Sequence, residues 1–264
     1  MKRKGRGTRR GESARSSGLS WGKRKVELVK ILVGVVLPYV AVLVFLAGMI
    51  YRLYTWKKLA SPPMTLFPAP PTEARNTLNT LQEVLFFKSL FSGDRVLWCF
   101  AWAFHAVLAL IVLGHFRVFT NVDAILRAVG MSDENIQAMS STAGGAAGVL
   151  ILVALALLLV RRLALPRVRE ITGVADYLAL VLLAAIILTG DMLRFSPQHF
   201  DLALTREYFA GLATFSGVRA MEVLKNNLFL VHMCLAFVLI MAIPFSKILH
   251  LGGIFFTHQL IRKQ

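Results

Sequence analysis

The sequence predicts an all-α fold, an integral membrane bundle of five helices. Three observations carry that expectation. Hydrophobic residues make up 56% of the 264-residue chain and charged residues only 17%, where an ordinary soluble domain has about 25% charged. Mean hydropathy is +0.64. Outside an N-terminal basic run, the lysines and arginines gather at the ends of apolar stretches, as charges flanking a bilayer do. The same composition excludes an ordinary cytosolic enzyme, a disordered chain and a nucleic-acid domain driven by charge alone. The two cysteines, Cys99 and Cys234, both lie in apolar runs, so they supply neither a Cys-only metal site nor a disulfide framework.

Taken in order, the chain opens with residues 1–30, a flexible basic tail holding 11 of the 30 lysines and arginines. It is too long for a signal peptide, and no small-residue cleavage site follows the first apolar run. Five stretches then reach the ~20 apolar residues that cross a bilayer core. They are Ile31–Ile50, Val96–Phe116, Thr142–Val160, Gly173–Gly190 and Asn227–Ser246. Asp176 is the only acid inside any of them. The long connections 51–95 and 194–226 contain amphipathic stretches such as Ala74–Phe91, suited to lying along the interface.

Five spans put the N-terminus on the side of the 116–141 and 194–226 loops (side A) and the C-terminus on side B. Excluding the tail, the loops carry 13 basic residues on side B and 6 on side A. The loops therefore place side B in the cytoplasm, while the tail argues for side A.

Six histidines are present, and four of them fall on two spans. His105 and His115 lie on the second span; His232 and His250 lie on the fifth or its extension. Ionisable residues in a bilayer are costly and mark function more often than not, although a lone histidine can serve as a helix–helix hydrogen bond. The second and fifth spans run antiparallel, so His105 is level with His250 toward side B, and His115 with His232 toward side A. The rise is ~15 Å between the first two and ~27 Å between the second two. A kink at Pro244 plus helix tilt would reconcile them. Two stacked His–His pairs fit two b-type haems with bis-His ligation. Zinc fits less well, because no further ligand completes a tetrahedron. Gly114, Gly144, Gly145 and Gly148 provide either room for a flat ligand or close helix packing. Arg117 serves as an interfacial anchor or a haem-propionate partner.

The chain resembles the cytochrome b subunit family typified by the gamma subunit of respiratory nitrate reductase. It also resembles that family's sulfite-reduction-associated (Dsr-type) branch. The resemblance runs from about Leu37 to Phe255. It is carried by LPYVAVLVFLAG (37–48), FHAVLALIVLGHF (104–116), GGAAGVLILV (144–153), RRLALPRVR (161–169), FSPQH (195–199) and PFSKILH (244–250), together with the histidine spacings. It implies a five-helix subunit in the cell inner (cytoplasmic) membrane, spanning residues 31–260. His105, His250, His115 and His232 are then the iron ligands of two haem b groups. Menaquinone or ubiquinone is the substrate, and a soluble iron–sulfur or reductase subunit meets side B in the cytoplasm. EVLFFKSLF (83–91) and SKILHLGGIFF (246–256) are closer to the Dsr-type branch; FSPQH and RRLALPRVR are closer to nitrate reductase gamma subunits. The lysine that the nitrate reductase branch uses at quinol has no counterpart around Ile136–Gln137.

On this reading the chain is an electron-transfer subunit: a quinol beside one haem releases electrons singly and protons to the adjacent water. Side-A polar groups near span ends, Asp191, Arg194, Gln137 and Asn121, are candidate quinone contacts, as is His199; His258 reads as a surface residue. Two other classes compete. One is a transporter or proton channel using histidine relays, which would call for broken helices or an inverted repeat. The other is a haem-free anchor for a partner subunit. No nucleic-acid motif stands out.

Overall fold

A computed structural model of the chain describes residues 21–58, 73–196, 201–216 and 219–250; side chains are described from residue 77 in the second of these segments. The expected fold class is observed. Among the described residues five helices are long and apolar enough to span a membrane: Trp21–Lys58, Arg95–Phe119, Asp133–Ala164, Val174–Phe195 and Asn227–Phe245. No strand occurs among the described residues. The tail assignment falls partly on residues 1–20, which lie outside the described residues, as do His199 and His258. Residues 21–30 are helical and continuous with the first span.

The second and third spans begin before their apolar cores, each at a capping residue. The third starts at Asp133 because the Ser132 hydroxyl accepts from the Asn135 amide (3.2 Å) and Asp133 and Glu134 occupy the first turn; both features favour a helix N-terminus. The second starts where the Asp94 carboxylate accepts from Leu97 N at 2.9 Å. That bond, joined by Arg161 from the end of the third span (3.1 Å), holds the Asp94 carboxyl below its usual range.

The second span packs on the third, the third on the fourth, the fourth on the fifth and the fifth on the first. The second and fifth spans do not pack closely on each other among the described residues. The interior has two apolar clusters. One joins Phe104, Ile151, Ala154, Leu155 and Ile187 of the second, third and fourth spans. The other, toward side A, joins Tyr208 and Leu212 to Val223, Leu224, Phe229, Leu230 and Met233. Outward-facing residues such as Leu43 (68% exposed) and Leu113 (63%) make a lipid-facing surface, since a bilayer takes apolar side chains that water would not.

Short helices close both ends. On side A these are Val122–Ala128 and Leu202–Ala213; on side B, Glu73–Phe86, Lys88–Gly93 and Pro166–Glu170. The side-B pair is pinned to the second span through indole N–H groups. Trp98 donates to Phe86 O (2.7 Å) and Trp102 to Leu85 O (2.9 Å), satisfying carbonyls at a helix C-terminus that have no partner of their own. Between these two short helices Phe87 adopts a left-handed conformation (φ 50°).

The first span contains a π-helical stretch, Leu32–Val36. One extra residue in a turn displaces the i→i−4 ladder, and the Gly34 carbonyl accepts the Tyr208 hydroxyl instead. Tyr208 is fully buried, and burial pushes its phenol well above the ordinary value. Tyr208→Phe leaves that carbonyl without its partner, so we expect a loss of about 1–3 kcal/mol, measured as a lower unfolding midpoint in detergent at unchanged helical content.

Candidate functional site

Two histidine pairs meet across the space between the second and fifth spans. The His105 and His250 ring centres are 5.8 Å apart with the planes nearly perpendicular (88°). His115 and His232 are 6.4 Å apart with the planes nearly parallel (16°). These are the partners that antiparallel order assigns, at the two depths it assigns.

The route to that pairing differs from a simple proline kink. The fifth span ends as α-helix at Ala242 and tightens to a 3₁₀ turn over Ile243–Phe245. It becomes extended at Ser246 (φ −120°, ψ 169°) and turns again over Lys247–Leu249 before His250. The ~27 Å rise of an unbroken helix therefore does not apply between His232 and His250, and each meets its partner on the second span. Pro244 contributes by lacking the N–H that would continue the ladder.

Each ring has its Nδ1 on a backbone carbonyl. His105 Nδ1 is 2.7 Å from Ala101 O, His115 Nδ1 is 2.7 Å from Ile111 O and His250 Nδ1 is 2.9 Å from Lys247 O. His232 Nδ1 reaches the fourth span, 3.1 Å from Ile186 O and 3.0 Å from Thr189 Oγ1. A carbonyl only accepts, so Nδ1 carries the hydrogen in all four rings. The Thr189 hydroxyl directs its own proton to Ala185 O or Ile186 O (2.8 and 2.9 Å), and so accepts from His232. In a neutral ring so fixed, Nε2 keeps its lone pair, the state a metal-binding imidazole requires.

The pairs suit a haem better than a closed metal site. With metal–nitrogen bonds of about 2 Å and ring centres roughly 1 Å behind the nitrogens, two imidazoles sharing one iron would have ring centres about 6 Å apart. Among the described residues no three His, Cys, Asp or Glu side chains converge, and each pair offers two ligands. Beside His115, a Cβ on Gly114 would meet nothing within 4 Å, so that face is open. Beside His232, a Cβ on Gly190 would come within 3.1 Å of Cε1, so Gly190 makes room for the ring. Phe87 and Phe104 set their edges on His105 at 5.1 and 5.2 Å.

The other candidates separate. Gly144 and Gly148 serve helix packing: a Cβ on Gly144 would lie 2.6 Å from Arg194 Nη2, and one on Gly148 would collide with the Asp191 carboxylate. Asp191 and Arg194 thus sit together on the glycine face of the third span. Asn121 caps a side-A helix through Ala124 N (3.3 Å), and Gln137 is exposed. Arg117 Nε donates to Asp123 Oδ1 at 2.7 Å. Arg206 Nη2 donates to Asp123 Oδ2 at 2.7 Å, and Arg206 Nε donates to Arg117 O at 2.6 Å. Arg117 is thus one arm of a side-A ion cluster centred on Asp123, a role that sequence reasoning missed because Arg206 lies 89 residues away. Burial opposes ionisation of Asp123, but the two guanidiniums outweigh it and hold the carboxyl below its usual range.

A family model described as nitrate reductase gamma subunit matches residues 88–263. The cytochrome b-like subunit of an Hdr-like menaquinol oxidoreductase from Archaeoglobus fulgidus is 32% identical over 263 residues, covering 87% of this chain and 79% of the relative. Its namesake from Archaeoglobus profundus is 31% identical, covering 84% and 76%. The gamma chain of respiratory nitrate reductase 1 from Escherichia coli is 30% identical, covering 82% and 88%.

Proposed function

The chain belongs to the nitrate reductase gamma subunit family, and from that premise we propose that it is the cytochrome b-like membrane subunit of a quinol-linked oxidoreductase. It passes electrons between menaquinol and a soluble iron–sulfur partner on the cytoplasmic face of the cell membrane. Residues 31–260 would form the haem-binding domain, preceded by the basic segment 1–30, whose residues 21–30 extend the first span as helix. The observation that carries this reading is the common arrangement of the four rings, each with Nδ1 spent on a carbonyl, which leaves the Nε2 lone pair free for a metal.

His105 with His250 would hold one b-type haem and His115 with His232 the other. Such groups supply one-electron carriers at two depths, matched to a quinol that gives up two electrons and two protons. The residues of this chain do the rest. Two imidazoles given to each iron would favour electron transfer over oxygen chemistry. The Nδ1 bonds fix ring orientation and raise ligand basicity. Asp191 and Arg194, polar groups in the side-A half of the fourth span, stand on the same side as His115 and His232 and are the candidates for meeting the quinone. The side-B loops, richer in lysine and arginine, face the soluble partner. Two relatives named as menaquinol oxidoreductase subunits support menaquinol and a heterodisulfide-reductase-like partner.

The test is spectroscopic. Purified full-length protein is expected to show reduced b-type bands that appear on adding a menaquinol analogue. Its ferric form should contain two low-spin species of different anisotropy, because the two pairs would present their imidazole planes at different mutual angles, 88° and 16°. Protein that purifies intact and haem-free would return the chain to a bare anchor or a histidine-relay transporter.

A further inference from the structure

The segment that carries His250 is not a regular helix, and two charged residues from other spans hold it. Breaking the helix at Ser246 leaves carbonyls without an i+4 amide. One of them, Pro244 O, accepts Arg52 Nε of the first span at 2.7 Å. One turn earlier on the same span, a Cβ on Gly48 would lie 2.7 Å from Pro244 Cβ and 2.9 Å from Phe245 Cζ. Gly48 and Arg52 therefore form one face, which seats the proline turn and bonds its free carbonyl.

From the other side, Lys247 Nζ donates to Asp176 Oδ2 of the fourth span at 2.7 Å. Asp176 is itself fixed, because the same oxygen accepts from Gly173 N at 3.0 Å. Its side chain is 11% exposed, whereas that of Lys247 is 77% exposed, so the carboxylate is the fixed end and the lysine reaches to it. The carbonyl of Lys247 accepts His250 Nδ1. A short chain of contacts thus runs from Asp176 through Lys247 to the ring of His250.

We propose that Arg52 and Asp176 are positioning residues for the side-B haem ligand, clamping the broken end of the fifth span so that His250 meets His105. This rests on the reading of His105 and His250 as a ligand pair. The clamp accounts for a feature that neither span explains alone. An unbroken helix would carry residue 250 about 27 Å beyond residue 232, past the level of His105. The break needs outside partners to adopt one geometry, and Arg52 and Asp176 supply them. The near-perpendicular ring planes of this pair are set by how the segment is held.

The experiment uses the full-length protein in its membrane complex, with Arg52→Gln, Asp176→Asn and His250→Ala compared by haem content and by the ferric low-spin resonance spectrum. His250→Ala is the reference, expected to remove the side-B component alone. Arg52→Gln and Asp176→Asn are each expected to shift or broaden the anisotropy of that same component, or to lower its occupancy. The side-A component should stay in place. Anisotropy is the deciding readout, because a lost charge alone moves a potential without rotating a ring. Exchanging the charges, with Asp176→Lys and Lys247→Asp together, should restore much of the side-B signal that Asp176→Lys alone disturbs. An unchanged side-B component in both single variants overturns the proposal, as do equal shifts in both components, which mean general loosening. If His250→Ala leaves both components intact, the ligand assignment itself fails, an outcome separate from failure of the clamp.

Discussion

Replacing His105 by alanine is expected to remove one b-type component and leave most of the other. His250→Ala should remove the same component, and the double variant should be no worse than either single one, because on the proposed reading the two are ligands of one iron and act as a unit. His115→Ala and His232→Ala should remove the other component in the same way. The two pairs are held by different elements: Ile111, Ile186 and Thr189 support one, and Ala101 and Lys247 the other. They are also about 15 Å apart along the second span, so loss of one leaves the scaffold of the other standing. Electron transfer from menaquinol to the soluble partner should fall by more than about 100-fold in every case. Removal of outer hydrogen-bond partners alone costs about 10–100-fold at metal sites, and under the proposed assignment a ligand itself is gone. The check is a reduced-minus-oxidised spectrum paired with a quinol oxidation rate. A variant that retains both components, or one in which all components vanish together at normal expression, would refute the pairing.

Much of this site was legible in the sequence because it depends on order. Five apolar runs determine that the second and fifth helices are antiparallel, and antiparallel order alone matches His105 to His250 and His115 to His232. What order could not supply was the local path of the chain. The 15 and 27 Å rises announced a mismatch, and Pro244 marked its place. The extended residue at Ser246, however, lies between Pro244 and Lys247, whose partners Arg52 and Asp176 are 192 and 71 residues away from them. Span limits were legible only where apolar residues end. The third helix runs back to Asp133 because Ser132 caps it, and that polar turn lies outside the hydrophobic window. The glycines at 144 and 148 were ambiguous between a flat ligand and packing. The answer depended on Asp191 and Arg194 being opposite them, which spacing within one helix does not contain.

The largest purely structural effect is expected at Asp123. Its side chain is only 10% exposed and bonds both Arg117 and Arg206. Arg206 also donates to the carbonyl of Arg117, so three groups close on the end of the second span, two residues beyond His115. Removing the carboxylate by Asp123→Ala leaves two guanidiniums, 15% and 24% exposed, facing each other without a counter-charge. Breaking a buried pair in this manner costs about 3–5 kcal/mol, a large part of the stability of a domain. The outcome should be poor membrane yield or a strongly lowered unfolding midpoint, with the side-A component disturbed more than the side-B one. Asp123→Asn keeps the shape and isolates the charge. Because the folded carboxyl titrates below its unfolded value of about 3.9, its contribution is complete above that pH and is lost as pH falls through the lower folded value. The parent protein should therefore show an acid-side loss of stability below about pH 4, which Asp123→Asn reduces while being less stable at neutral pH. Equal acid sensitivity in the two proteins would mean that this carboxylate is not the group through which side A is held.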